Sequence, residues 1–140
     1  MRVEQSLLDR INENSLYRTL GIVVEEAAEG LALSRLTPEP AVCWPFARQP
    51  HGGILFTQMD TTMAWAVLTL LDSGLGCATI NLDIQYTRPA LGDRFLCTAR
   101  VVHRTKRLAF VQAQTADPEG RVLALGQATF RIIAEDPLLS

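Results

Sequence analysis

The residues best suited to chemistry lie in one run, His51-Gly52-Gly53-Ile54-Leu55-Phe56-Thr57-Gln58-Met59-Asp60. Two glycines behind a histidine read as a tight turn that another group can approach closely, and the apolar residues beyond them read as a helix. The first N–H groups of a helix have no intrahelical partner, so such a turn can donate to a developing negative charge. Asp60 is the single charged residue between Ile54 and Leu71. An ionised carboxylate is costly to bury unless it is paired or hydrogen-bonded. It is therefore either a catalytic group or a structural Asp satisfied by neighbouring threonines or backbone donors. It lies two turns in, past the strongest reach of the helix dipole, so any reactivity must come from desolvation and local partners.

The elements around that run follow from pattern. Apolar residues nearly all round the segment Gly52 to Leu71 predict a buried helix, stopped by Asp72-Ser73-Gly74-Leu75-Gly76. Upstream, Val3, Leu7, Leu8 and Ile11 are spaced as on a short amphipathic helix over 3–14. The stretches Ile22 to Ala27 and Leu31 to Leu36, with Glu29-Gly30 between, predict a hairpin that Thr37-Pro38-Glu39-Pro40 ends. Residues Ala41 to Pro50 read as a loop whose aromatics, Trp44 and Phe46, plug the open end of the core or line a pocket. Downstream, Thr79 to Thr87 alternates without a fault, and strands follow over Phe95 to Arg104, Leu108 to Thr115 and Val122 to Ile133. Short turns between long alternating strands predict an antiparallel meander. Glu135 to Ser140 read as a loose tail. The fold expected is α+β, about six antiparallel strands curled round one apolar helix, in a single domain over 1–140. The far face of the sheet then lacks cover, which predicts an oligomer.

Composition narrows the function classes. The formal net charge of -2 over 140 residues gives no reason to expect a nucleic-acid partner. The three cysteines, Cys43, Cys77 and Cys97, are odd in number and lack CxxC spacing, which argues against a disulfide framework or a metal site and fits a reducing cytoplasm. Buried packing is the expected role for them, with a nucleophilic cysteine as the alternative. The start, Met1-Arg2-Val3-Glu4-Gln5, is too polar for a signal peptide, and no run reaches the roughly 20 apolar residues that cross a bilayer.

Taken together, these residues carry a resemblance. His51-Gly52-Gly53 with Asp60 seven residues on, Thr79-Ile80-Asn81-Leu82-Asp83-Ile84-Gln85-Tyr86, Arg88-Pro89-Ala90 with Gly92-Asp93, and Ala124-Leu125-Gly126-Gln127-Ala128-Thr129-Phe130 are similar to hotdog-fold acyl-CoA thioesterases of the PaaI-like type. The resemblance covers Leu20 to Ile133. It implies hydrolysis of an acyl-CoA to a free acid and coenzyme A, without a further cofactor. It implies that Asp60 is nucleophile or general base and that the Gly52 N–H polarises the thioester carbonyl. These two groups would come from opposite subunits of a dimer, with tetramers formed from dimers. His51 would orient the turn or bond substrate, its alternative being a capping or core histidine. Thr79 would hold the carboxylate or water, and Gly53 would line the substrate site. Arg88 with Arg104, Lys106 and Arg107 would meet the phosphates of coenzyme A, although charged turns are commonly just solvated.

One position departs from the family pattern. An Asn often found six residues before the His is Pro45 here, and Gln49 or Gln58 would have to replace its amide. The departure leaves a second function open, a non-catalytic acyl-CoA-binding hotdog protein. A hotdog dehydratase needs a His poised with the acid, and His103 lies on a distant strand. Trp44, Phe46, Met63 and Trp65 are the residues available to shape an acyl pocket.

Overall fold

The computed structural model describes residues 1–134; the tail expected over 135–140 lies outside them. The elements are α1 (Gln5–Ile11), α2 (Ser15–Leu20), β1 (Ile22–Ala28), β2 (Leu31–Leu36), α3 (Pro40–Cys43), α4 (Gly52–Leu68), β3 (Leu75–Tyr86), β4 (Phe95–Arg104), β5 (Leu108–Ala116) and β6 (Val122–Ala134). All six strands form one antiparallel sheet against which α4 packs, the hotdog arrangement. The β1–β2 hairpin turns where expected, with Glu29 and Gly30 both at positive φ.

The face of α4 toward the sheet is Leu55, Gln58, Met59, Thr62, Met63 and Ala66, all buried at helical spacing. Gly126 on β6 lets the helix settle, because a Cβ there would strike the sulfur of Met59. Burial is not uniform round the helix: Phe56 is exposed, while Ile54, Asp60, Ala64 and Leu68 are half-buried. The helix also ends at Leu68 rather than Leu71, capped at Thr69. Thr69 Oγ1 accepts the Gly30 N–H at 2.8 Å and donates to the Ala66 carbonyl at 2.7 Å, which ties the helix end to the hairpin.

Two further expectations are corrected. The strands are not a continuous meander: the sheet order is β1-β2-β4-β5-β6-β3, so β3 lies at an edge beside β6. The link from β3 to β4 permits this, since residues 87–94 hold Pro89 and are too long for a tight hairpin. Residues 41–50 are not all loop, because Pro40, placed where a helix tolerates proline, opens the short α3 with Glu39 as its cap. Residues 15–20, to which the sequence pattern assigned no element, form α2, capped by the Asn14 side chain and closed by Gly21 at φ 89°.

The alternation of β3 also breaks. Its register with β6 slips between Thr79 and Asn81. Cys77 and Thr79 face the helix above the slip, and Ile84 and Tyr86 pair with the buried Gly126 and Ala124 below it. Ile80 is the extra residue of a β-bulge and is 57 % exposed. Had β3 alternated regularly through Ile80, Thr79 would point away from α4.

Candidate active site

That bulge makes the centre of the site. The Thr79 hydroxyl donates to Asp60 Oδ1 at 2.7 Å, joining the middle of α4 to the edge strand. A hydroxyl on a carboxylate leaves its other oxygen available and fixes its orientation. Asp60 itself is half-buried in the single chain, so its surroundings are less desolvated than an all-apolar helix would have made them.

The second centre is the N-terminus of α4. His51 is the N-cap, and its Nδ1 accepts the Gly53 N–H at 2.8 Å. An accepting Nδ1 places the ring proton on Nε2, a tautomer assigned from this bond. His51 is thus the capping histidine among the readings the sequence left open, and its ring is exposed to a ligand as well. Replacing His51 by Ala should lower stability by about 1 kcal/mol, and His51→Asn, whose oxygen can cap in the same way, should recover most of it. Urea unfolding checks this; an alanine variant as stable as the parent would refute the cap.

The Gly52 N–H has no acceptor among the described residues. Its carbonyl oxygen accepts the Tyr86 hydroxyl at 2.6 Å. Burial pushes the Tyr86 phenol up from its ordinary value, so it stays protonated and able to donate.

Tyr17 on α2 also belongs to this neighbourhood. Its oxygen accepts the Trp65 indole N–H at 3.1 Å, one helical turn beyond Thr61. Burial raises its pKa most, hydrogen bonds to Trp65 and Thr61 oppose the rise, and the charge of Asp60 adds to it. Nothing in the spacing of the sequence marks Tyr17 or Tyr86, since each reaches its partner through the fold.

Other expected participants are placed elsewhere. The Gln58 amide is buried on the sheet side, where Nε2 donates to Ser34 Oγ at 3.2 Å and to the Phe95 carbonyl at 3.3 Å. It is unavailable to replace the missing Asn, and Pro45 and Gln49 lie in the exposed stretch before His51. Met63 is fully buried against the core and Trp65 is bonded to Tyr17, so neither lines an open pocket. Trp44 packs on the smaller core cluster as a plug, whereas Phe46 is 71 % exposed and does not. Burial raises the Cys43 thiol and pushes Cys97 up to about 11, against hydrogen bonds with Thr115 and Thr62. Such thiols stay protonated, the opposite of an activated nucleophile.

The four basic residues do not form one cluster in the chain. Arg104 donates to the Leu70 carbonyl at 2.6 Å, past the end of α4, and Lys106 and Arg107 are exposed in the next turn. Arg88 lies beyond the other end of β3, near Asp117 and Arg121, about 25 Å from Arg104 along the strands at 3.3 Å per residue.

Among the described residues no helix is long and apolar enough to cross a membrane, and no group of three or more His, Cys, Asp or Glu side chains could hold a metal ion. The arrangement is a carboxylate oriented by a hydroxyl and, separately, an open backbone donor at a helix start.

Comparison with known proteins gives the family. Residues 51–124 match the thioesterase superfamily model, which begins at His51 and includes Gly52, Asp60 and Thr79. A Halobacterium salinarum protein named "Putative esterase" is 31 % identical over 136 residues, covering 90 % of this chain and 89 % of its own. The PaaI protein from the phenylacetic acid degradation operon of E. coli is 26 % identical, with a TM-score of 0.79 over 91 % of each chain. A thioesterase of Haemophilus influenzae is only 17 % identical but shares the fold, with a TM-score of 0.86 over 94 % of this chain and 92 % of that one. The chain therefore belongs to the thioesterase superfamily, as a PaaI-like thioester hydrolase of the hotdog fold.

Proposed function

We propose that the protein hydrolyses acyl-CoA thioesters at a site shared between two copies of the chain, with Asp60 from one and the Gly52 N–H from the other. The observation that carries this reading is a distance. Gly52 and Asp60 are eight residues apart on one helix, about 12 Å at 1.5 Å per residue. One thioester carbonyl cannot touch both groups of the same helix. A second copy brings them together if the two β3 strands pair antiparallel. β3 is a 12-residue edge strand with unpaired backbone groups, a surface that demands a partner.

Thr79 marks the level of Asp60 along β3, and Tyr86 marks that of Gly52. Pairing that sets Asp60 of one copy opposite Gly52 of the other puts the two-fold axis near Leu82 and Asp83. It generates two equivalent sites per dimer. The same pairing carries Arg88 of one copy toward the end of the sheet that holds Lys106 and Arg107 of the other. Basic residues separated in the chain would thus converge on the phosphates of coenzyme A.

In the reaction, Asp60 either attacks the carbonyl carbon or takes a proton from the water that does. Negative charge builds on the thioester oxygen, where the Gly52 N–H donates to it. Collapse of the tetrahedral intermediate breaks the carbon–sulfur bond and expels coenzyme A as the thiolate, which takes up a proton. If Asp60 attacked, water then hydrolyses the acyl anhydride. Thr79 holds the carboxylate toward the carbonyl throughout, and Gly53 and the His51 ring border the same turn.

Pro45, which has no side-chain donor, favours the second reading, an acyl-CoA-binding protein without turnover. Thiol release from short-chain, long-chain and aromatic acyl-CoAs separates the two: binding without thiol release would favour the binder. The shared site has its own test. Asp60→Asn and Gly52→Pro chains, each at about a hundredth of wild-type activity or less alone, should on co-expression recover about a quarter of it, because half the dimers are mixed and each holds one intact site. No recovery in confirmed mixed dimers would place both groups in one chain's site and refute the sharing.

A further inference from the structure

The Gly52–Gly53 peptide is held at both polar ends by side chains of its own chain. Its carbonyl oxygen accepts the Tyr86 hydroxyl at 2.6 Å, and its N–H donates to His51 Nδ1 at 2.8 Å. Both glycines are overlaid by those same rings. A Cβ on Gly52 would meet the Tyr86 Cζ and hydroxyl oxygen at 3.2 Å, and one on Gly53 would meet His51 Nδ1 at 2.9 Å. Two consecutive glycines would otherwise be the loosest joint between the preceding loop and α4. Pinned in this way, the joint leaves one donor over, the Gly52 N–H.

We infer that Tyr86 is a positioning residue for thioester hydrolysis, its hydroxyl fixing the Gly52–Gly53 peptide so that the Gly52 N–H stays aimed at the thioester oxygen. The inference rests on the reading of that N–H as the oxyanion donor. Tyr86 touches the peptide between residues 52 and 53, whereas the donor belongs to the peptide between 51 and 52. It therefore acts through backbone orientation and not by polarising the donor directly. A misdirected donor is felt most when charge has built up on the oxygen, so the effect falls on kcat and leaves KM almost unchanged. The strand that bears Thr79 for Asp60 also bears Tyr86 for Gly52, so β3 sets both halves of the chemistry from opposite ends.

Tyr86→Phe keeps the ring over Gly52 and removes only the hydroxyl. Its kcat should fall about tenfold with KM within about twofold of wild type, and the melting temperature should stay within about 2 °C. The same substitution in a Gly52→Pro background, which has no N–H at that position, should cost nothing further in kcat. An unchanged kcat in Tyr86→Phe, or a second tenfold loss on top of Gly52→Pro, would overturn the inference and leave the hydrolase reading standing. Binding of acyl-CoAs without thiol release by the wild-type chain would instead sink that reading, and this inference with it.

Discussion

Asp60→Asn should lower turnover of the best acyl-CoA substrate by about a hundredfold or more, the scale on which a catalytic acid, base or nucleophile acts. The substitution is chosen for what it retains. The Asn oxygen can still accept the Thr79 hydroxyl that Asp60 Oδ1 accepts at 2.7 Å, and the side-chain volume is almost the same. Only the charge and the basicity go. Asp60 is half-buried rather than enclosed, so the folded chain should tolerate an amide with little change in melting temperature. Steady-state thiol release, with thermal unfolding as the control, measures both. Undiminished turnover would remove Asp60 from the chemistry and leave it as a structural acid held by a threonine.

Gly52→Pro should cost about a hundred- to a thousandfold in kcat relative to Gly52→Ala, the range for loss of one oxyanion donor. The two variants share a Cβ, which meets the Tyr86 ring in either case, so the strain from that atom is common to both. They differ in the N–H. Proline has none, yet it suits this place: Gly52 is the first residue of α4, where helices accept proline. His51 before it has φ −58° and ψ 138°, the extended backbone that a residue preceding proline prefers. Comparable kcat values for the two variants would show that the thioester oxygen takes its hydrogen bond elsewhere.

The reach of the sequence differed between local and distant features. The helix start at His51-Gly52-Gly53, the acid at Asp60 and the Glu29-Gly30 turn were all legible, because each depends on neighbours a few residues away. The path of the sheet was not. The link over 87–94 differs visibly from the tight turns on either side of β5, but its length says only that β3 and β4 need not pair, and not that β3 crosses to β6. The basic residues show the same limit. Arg88 and Arg104 look like neighbours of one function in a list, yet opposite ends of the strands separate them.

By itself the sequence determined the class of fold and marked the two candidate groups, since periodicity, glycine spacing and a lone carboxylate in an apolar helix are short-range facts. Only the tertiary structure decided how those groups are aimed. Regular alternation would have turned Thr79 away from Asp60, and one extra residue at Ile80 turns it back. The Tyr86 hydroxyl reaches Gly52 across 34 positions of chain. Such contacts depend on register and on the packing of a helix across a strand, which the order of residues constrains only through the fold as a whole.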